Sequence, residues 1–179
     1  MAETQYDERV IDINRVAKVT KGAKRFSFTA LVVVGNGEGK VGIGYGKARE
    51  VPSAIQKGME AARKSMVSIA MAGNTLVHEV VGKHGASRVM VKPAAPGTGV
   101  IAGGAVRQIL EAAGVKDALA KSLGSPTHVN TARAAMDALL QQRRPDKVAA
   151  LRGKRPEEIT PPGLLAAYRK TEALRARSS

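Results

Sequence analysis

The sequence predicts an α+β protein of two consecutive units: a β-β-β-α unit over residues 10–73 and a small two-layer α/β unit over 74–144, between arms at 1–9 and 145–179. Three observations predict this. Apolar residues form three strand-like stretches before residue 50 and then switch to helical spacing. Gly73-Asn74 interrupts the chain before a second series of strand and helix patterns. Residues 145–179 carry Pro145, Pro156, Pro161 and Pro162 with little β-branched content, and predict an extended arm with one short helix near GLLAAYRKTEALRAR.

The elements follow in order. Ile11, Ile13, Ala17 and Val19 alternate as in a strand, and TKGAKR breaks the pattern. FSFTALVVV at 26–34 is rich in aromatic and β-branched residues, and Asn36-Gly37 suits a tight turn after it. KVGIGYG puts Val41, Ile43 and Tyr45 on one side and glycines on the other, so another backbone, of a helix or of an RNA, can come close to the glycine side. Pro52 suits a first helical turn, and Ile55, Met59, Ala62, Met66 and Ile69 continue a helical stripe of about five turns, ended by Gly73-Asn74. In the second unit TLVHEVV and SRVMVK form two strands joined by GKHGA. A Gly/Pro connection then leads into a helix with Val106, Ile109, Leu110 and Ala113, stopped by Gly114. Val115 to Leu123 alternates as a strand, although its alanines leave a helix open, and Val129, Ala132, Met136, Leu139 and Leu140 mark a last helix before Pro145.

Charge sets the function class. Twenty-nine Lys and Arg against fifteen Asp and Glu leave +14, a polyanion-facing balance, while 44% hydrophobic residues exclude a disordered basic tail. Residues 15–64 hold eleven Lys or Arg against three acids, whereas residues 1–14 hold one Arg against four acids, so the phosphate-facing region is expected in 15–64. Two Phe, three Tyr and no Trp argue against rows of stacked bases. The absence of cysteine removes disulfides, zinc ribbons and thiol nucleophiles and is compatible with a reducing compartment. No stretch has the roughly eighteen apolar residues a membrane span needs, and no export signal is evident, so a cytoplasmic protein without membrane partners is expected.

Catalytic motifs fail on context. Gly37, Gly39 and Gly42 match G-x-G-x-x-G but enter a strand where a dinucleotide site needs a helix. Gly97, Gly99 and Ala102, with Asp117 twenty residues beyond Gly97, fit a looser form, but Pro93 and Pro96 separate the turn from its strand. His78, His84 and His128 lack metal spacing, and no serine elbow or carboxylate pair is present, so neither a metal nor another cofactor is expected. The basic constellation is the stronger signal. Arg15, Lys18, Lys21, Lys24 and Arg25 surround a turn that Gly22 allows to bend, Lys40, Lys47 and Arg49 flank the glycine strand, and Lys57, Arg63 and Lys64 lie on the helix.

The run KGAKRFSFTALVVVGNGEGKVGIGYGKAREVPSAIQKGMEAARKSM, followed by GTGVIAGGAVRQILEAAGV and NTARAAMDAL, closely resembles the bacterial small-ribosomal-subunit protein five family over roughly residues 10–155. The resemblance implies a first unit similar to the double-stranded-RNA-binding fold without its leading helix, and a second with a left-handed β-α-β crossover, where pattern alone favours a right-handed one. It further implies a non-enzymatic constituent of the small subunit. Such a protein binds 16S ribosomal RNA where head meets body, contacts small-subunit proteins four and eight, borders the messenger entrance, contributes to decoding accuracy and forms no homo-oligomer. By resemblance, Gly99, Gly103, Gly104 and Arg107 belong to the face toward protein four. Two rival readings are a free duplex-RNA-binding regulator and a small phosphotransferase using the Gly-rich loops. Ala23 stands where the family often has a second glycine, and would be strained if that position needs positive φ.

Overall fold

The computed structural model describes residues 5–178, so Met1 to Thr4 of the expected arm lie outside the described residues. Strands β1 (Asp7–Thr20), β2 (Ala23–Gly35) and β3 (Lys40–Ala48) form an antiparallel meander, and α1 (Val51–Lys64) packs across it. The first strand begins at Asp7, three residues before the expected start, and is kinked where the register shifts between Val10 and Asp12. The β2–β3 turn closes through Asn36, whose Oδ1 accepts the N–H groups of Glu38 and Lys40, both at 2.9 Å.

The glycine side of β3 faces α1. A Cβ at Gly44 would stand 1.9 Å from Gly58 O, and one at Gly46 would stand 2.0 Å from Ala54 O, so strand and helix backbones touch through these positions. Of the two occupants the sequence left open, the helix takes the space. The helix itself is shorter than its apolar stripe suggests. It ends at Lys64, Ser65 Oγ donates to Ile43 O at 2.9 Å, and β4 (Val67–Ser68) pairs with Val41 and Lys40 as a fourth strand. Met66 and Ile69 continue the helical period by coincidence, since the chain after Ser65 instead satisfies the open edge of β3.

Gly73 and Asn74 end no helix. They turn the hairpin of β5 (Met71–Ala72) and β6 (Thr75–Leu76), with Gly73 at φ +64. The expected strand over 75–81 is likewise split into β6 and β7 (Val80–His84). Buried Gln142 explains the break: its Oε1 accepts Val77 N–H at 3.1 Å and His78 N–H at 3.2 Å, and its Nε2 donates to His78 O at 3.0 Å, replacing a strand partner there.

β8 (Ser87–Pro93), β9 (Val100–Ile101) and β10 (Ala118–Gly124) complete a second sheet in the order β7-β8-β10-β9. β9 and β10 run parallel and are joined by α2 (Gly104–Ala112), so residues 118–124 are a strand and the helical alternative is discarded. α3 (His128–Leu140) covers β7 and β8. The two units share one interior. Leu31, Val33 and Val41 of the first sheet lie in a single cluster with Val89, Val106, Ile109 and Leu139 of the second unit, while Ala30, Val32 and Val34 face α1. The first sheet is therefore covered on both faces where β2 runs from Ala30 to Val34, which is why that stretch is continuously apolar rather than alternating.

Polar links cross the same seam. Arg9 of β1 is paired with Glu111 of α2 and with Asp7 at 2.8 Å. Asp12 Oδ2 accepts from His128 Nδ1 at 3.1 Å and from Asn14 Nδ2 at 2.7 Å. Burial pushes the Asp12 carboxyl up, but those hydrogen bonds prevail and hold it below the usual carboxylate range. A carboxyl depressed in the folded state contributes stability above its unfolded pKa that is lost as pH falls through the folded value. His128→Ala is accordingly expected to raise the Asp12 titration and to move the onset of acid unfolding to higher pH, as followed by carboxyl-carbon NMR and a pH-dependent melt.

The helix expected near GLLAAYRKTEALRAR is present and longer than expected, but the stretch before it is helical too where an extended arm was expected. α4 (Pro145–Arg152), α5 (Pro156–Ile159) and α6 (Pro162–Ser178) each begin on a proline, the residue whose fixed φ suits a first helical turn. α6 docks on the β5–β6 hairpin through buried Tyr168, which clusters with Ala72 and has Leu164 and Ala167 packed beside it. Gly73 N–H donates to Thr171 Oγ1 at 2.7 Å, and Arg175 donates to Ile69 O at 3.1 Å and to Glu38 O at 2.9 Å.

Candidate nucleic-acid interface

Beyond the point where β3 ends its pairing at Phe28, β1 and β2 continue alone as a two-stranded arm. The register Thr20↔Ala23 leaves only Lys21 and Gly22 in the turn. Gly22 adopts φ +84, which an L side chain rarely does, and a Cβ there would meet nothing, so glycine is needed for conformation and not for space. Ala23 is the first residue of β2 and has no positive φ, so the strain considered for it does not arise.

Cations line this arm on both faces. Lys18 stands directly opposite Arg25 on one face, and Arg15 and Lys24 share the other with Phe26, over whose ring the Arg15 guanidinium lies at 3.8 Å. Val19 is 71% exposed and Phe26 46%, so the ribbon has no core of its own and its side chains stand in solvent. Lys18, Lys21, Lys24 and Arg25 form no ion pair among the described residues.

The remaining basic residues spread along the first unit. Lys47 pairs with Thr29 at the root of the arm, Arg49 follows just after β3, and exposed Lys57 lies on α1. Lys40 lies at the far end of the sheet, roughly 40 Å from the arm tip at about 3.3 Å per residue, and Arg63 and Lys64 end α1 toward that side. Arg63 is committed within the chain, its Nε donating to Glu8 Oε1 at 3.0 Å. The sequence thus named the cations, and the fold gathers six positions on the arm, Arg15, Lys18, Lys21, Gly22, Lys24 and Arg25, with Lys47 and Arg49 at its base.

Neither glycine motif is free to hold a phosphate. Gly37 N–H donates to Ala112 O at 3.1 Å and Gly39 N–H to Ala113 O at 2.8 Å, so these amides close the C-terminus of α2. Gly97 N–H and Gly99 N–H donate to Asp117 Oδ1 at 3.1 and 3.0 Å, and Asp117 is only 6% exposed. Asp117 is therefore the anchor of that loop, a role that sequence reasoning, which noted the residue only for its spacing in a motif it set aside, did not find. The anchored loop carries Gly99 into β9 and presents exposed Gly103, Gly104 and Arg107 at the start of α2, with Arg107 donating to Val100 O at 3.2 Å. The histidines hold the fold together: His78 Nε2 accepts Arg143 N–H at 2.9 Å, His84 lies 3.4 Å from Arg133, and His128 meets Asp12. Among the described residues no group of His, Asp and Glu is placed to bind a metal, and no helix is long and apolar enough to cross a membrane.

The family profile for ribosomal protein S5, N-terminal domain, matches residues 6–70, and that for ribosomal protein S5, C-terminal domain, matches residues 82–152. The chain belongs to the ribosomal protein S5 family. It is accordingly a structural, non-enzymatic protein of the small ribosomal subunit, and its mixed architecture, β-β-β-α and then β/α, follows the two S5 domains in order. The β5–β6 hairpin falls between the two matched segments, and α5 and α6 lie beyond the second.

Proposed function

We propose that this S5-family chain is an RNA clamp: its basic arm neutralises phosphates of 16S ribosomal RNA at the junction of head and body while the second unit docks neighbouring proteins. The observation that carries this reading is a projecting ribbon whose four outermost cations have no carboxylate partner among the described residues. Such groups release condensed counterions when they meet a polyanion, and contribute affinity without sequence readout. Lys21, Lys24 and Arg25 probe RNA at the tip, Lys18 and Arg15 along the ribbon, and Lys47, Arg49 and Lys57 at its root. Lys40, Arg63 and Lys64 serve a second stretch at the far end of the sheet, with Arg63 the weakest contributor because Glu8 already neutralises it.

The face built from Gly99, Gly103, Gly104 and Arg107 is proposed to meet protein four, with protein eight a further neighbour and messenger RNA passing near the basic unit. Accuracy then follows from mechanics. If the subunit alternates between discrete arrangements, a contact made in only one of them shifts the balance by its own free energy, and about 1 kcal/mol is roughly a fivefold shift.

The test is the salt dependence of 16S RNA binding by the full chain. Replacing Lys21, Lys24 and Arg25 with Ala together is expected to weaken binding and to flatten the plot of log K against log salt by about two to three. An unchanged slope would remove the arm from the interface.

A further inference from the structure

The last helix, α6, touches both units at once. Its Tyr168 is buried in one cluster with Ala70, Ala72 and Val77, around the β5–β6 hairpin that joins the units. Toward its end the helix reaches the first unit, where Arg175 Nη1 donates to Ile69 O at 3.1 Å and Nη2 to Glu38 O at 2.9 Å. A Cβ on Gly39 would fall on that guanidinium, so the glycine leaves the room that Arg175 fills. One turn earlier the helix meets the second unit. Arg144, just before α4, stands 3.5 Å from Glu172 Oε2, and the buried Glu172 Oε1 lies 3.7 Å from Arg175.

These contacts form a chain from Arg144 through Glu172 and Arg175 to two carbonyls of the first unit. The place where it ends matters. Gly37 and Gly39 give their N–H groups to Ala112 O and Ala113 O at the end of α2, and Gly39 O accepts Ile69 N–H at 2.8 Å. Glu38 lies between the two glycines with its own carbonyl taken by Arg175, so the β2–β3 turn is held by α2 on one side and by α6 on the other. A guanidinium suits this task because its rigid fork can serve two carbonyls on two segments at once. Glu172 and Arg175 lie beyond both segments matched by the S5 domain profiles, so the device is added to the shared core of the family.

We propose that α6 is a conformational latch: the chain Arg144–Glu172–Arg175 fixes the β2–β3 turn against the end of α2 and so holds the first unit in a set relation to the second. The latch stands whatever the arm binds. Glu172 is a positioning residue, which touches neither carbonyl but orients the guanidinium that does. With the latch released, the turn parts from α2 more often while each sheet stays intact. Because β2 runs from the arm tip to this turn, the arm then loses its fixed relation to the second unit.

The test is native-state amide exchange in the full chain, read at Gly37 and Gly39, with Val33 in the middle of the first sheet as the reference for global opening. Arg175→Met removes both donors and is expected to speed exchange at Gly37 and Gly39 about tenfold, and by more than at Val33. Arg144→Met changes a half-exposed side chain of the second unit. It is expected to give the same pattern at smaller size, and to add little in the Arg175→Met background, because the two residues act in series. Arg175→Lys, which keeps the charge and loses the fork, is expected to give a milder form of the same pattern and serves should Arg175→Met fail to fold. Parent rates at Gly37 and Gly39 in either the Arg144 or the Arg175 variant overturn the latch and leave α6 as a cover for the hairpin. Equal acceleration at Gly37, Gly39 and Val33 overturns it as well, since that is a general loss of stability with no local device behind it.

Discussion

Gly44→Val is expected to prevent the first unit from reaching its native packing. Even a methyl group at that position would stand 1.9 Å from Gly58 O and 2.6 Å from Ala62 N, and both are backbone atoms that cannot turn aside as a side chain can. Relief requires α1 to lift from β3, which uncovers Ala54, Ala62 and the inner face of β2. The cost is about 3 kcal/mol or more, at the upper end of what overpacking produces. A denaturant melt reads the loss of stability directly. Gly103→Ala is the matched control: its Cβ meets nothing within 4 Å and its φ is −66, so stability near that of the parent chain is expected.

Asp117→Ala is expected to cost about 2 to 3 kcal/mol, because it leaves the Gly97 and Gly99 N–H groups without their shared charged acceptor in a partly buried site. The effect does not stop at stability. The loop fixed by Asp117 places Gly99, β9 and the start of α2, so its release disorders the face proposed to meet protein four. Asp117→Asn keeps one acceptor oxygen and is expected to retain most of the fold with a smaller loss. Amide exchange at Gly97 and Gly99, measured beside the overall melt, separates local release from global unfolding.

Much of the architecture is legible in residue pattern because local and tertiary demands coincide. β2 and β3 are β-branched runs or alternations bounded by glycine, and α2 ends at the Gly114 stop. Where they diverge, pattern misleads. Met66 and Ile69 extend the stripe of α1 numerically, yet one reaches back to the core under α1 and the other joins the shared interior. Pro145, Pro156 and Pro162 suggested an arm, because a proline that breaks a helix and one that begins a helix are the same letter. The Val77–His78 interruption depends on Gln142, sixty-five residues away from Val77, and no local window contains that bond.

The site divides along the same line. That Lys21, Lys24 and Arg25 are cationic and clustered is written in the sequence, as is the glycine that turns them. Which cations are already neutralised is not, since Arg63 meets Glu8 across fifty-five residues.

The most direct measurement of the clamp is a backbone-cleavage footprint of the full chain on 16S RNA at near-physiological salt. Protection of two separated RNA segments, one of them lost on replacing Lys21, Lys24 and Arg25, is the predicted result. RNA cleaved identically with and without the protein, while the chain remains folded, would contradict it.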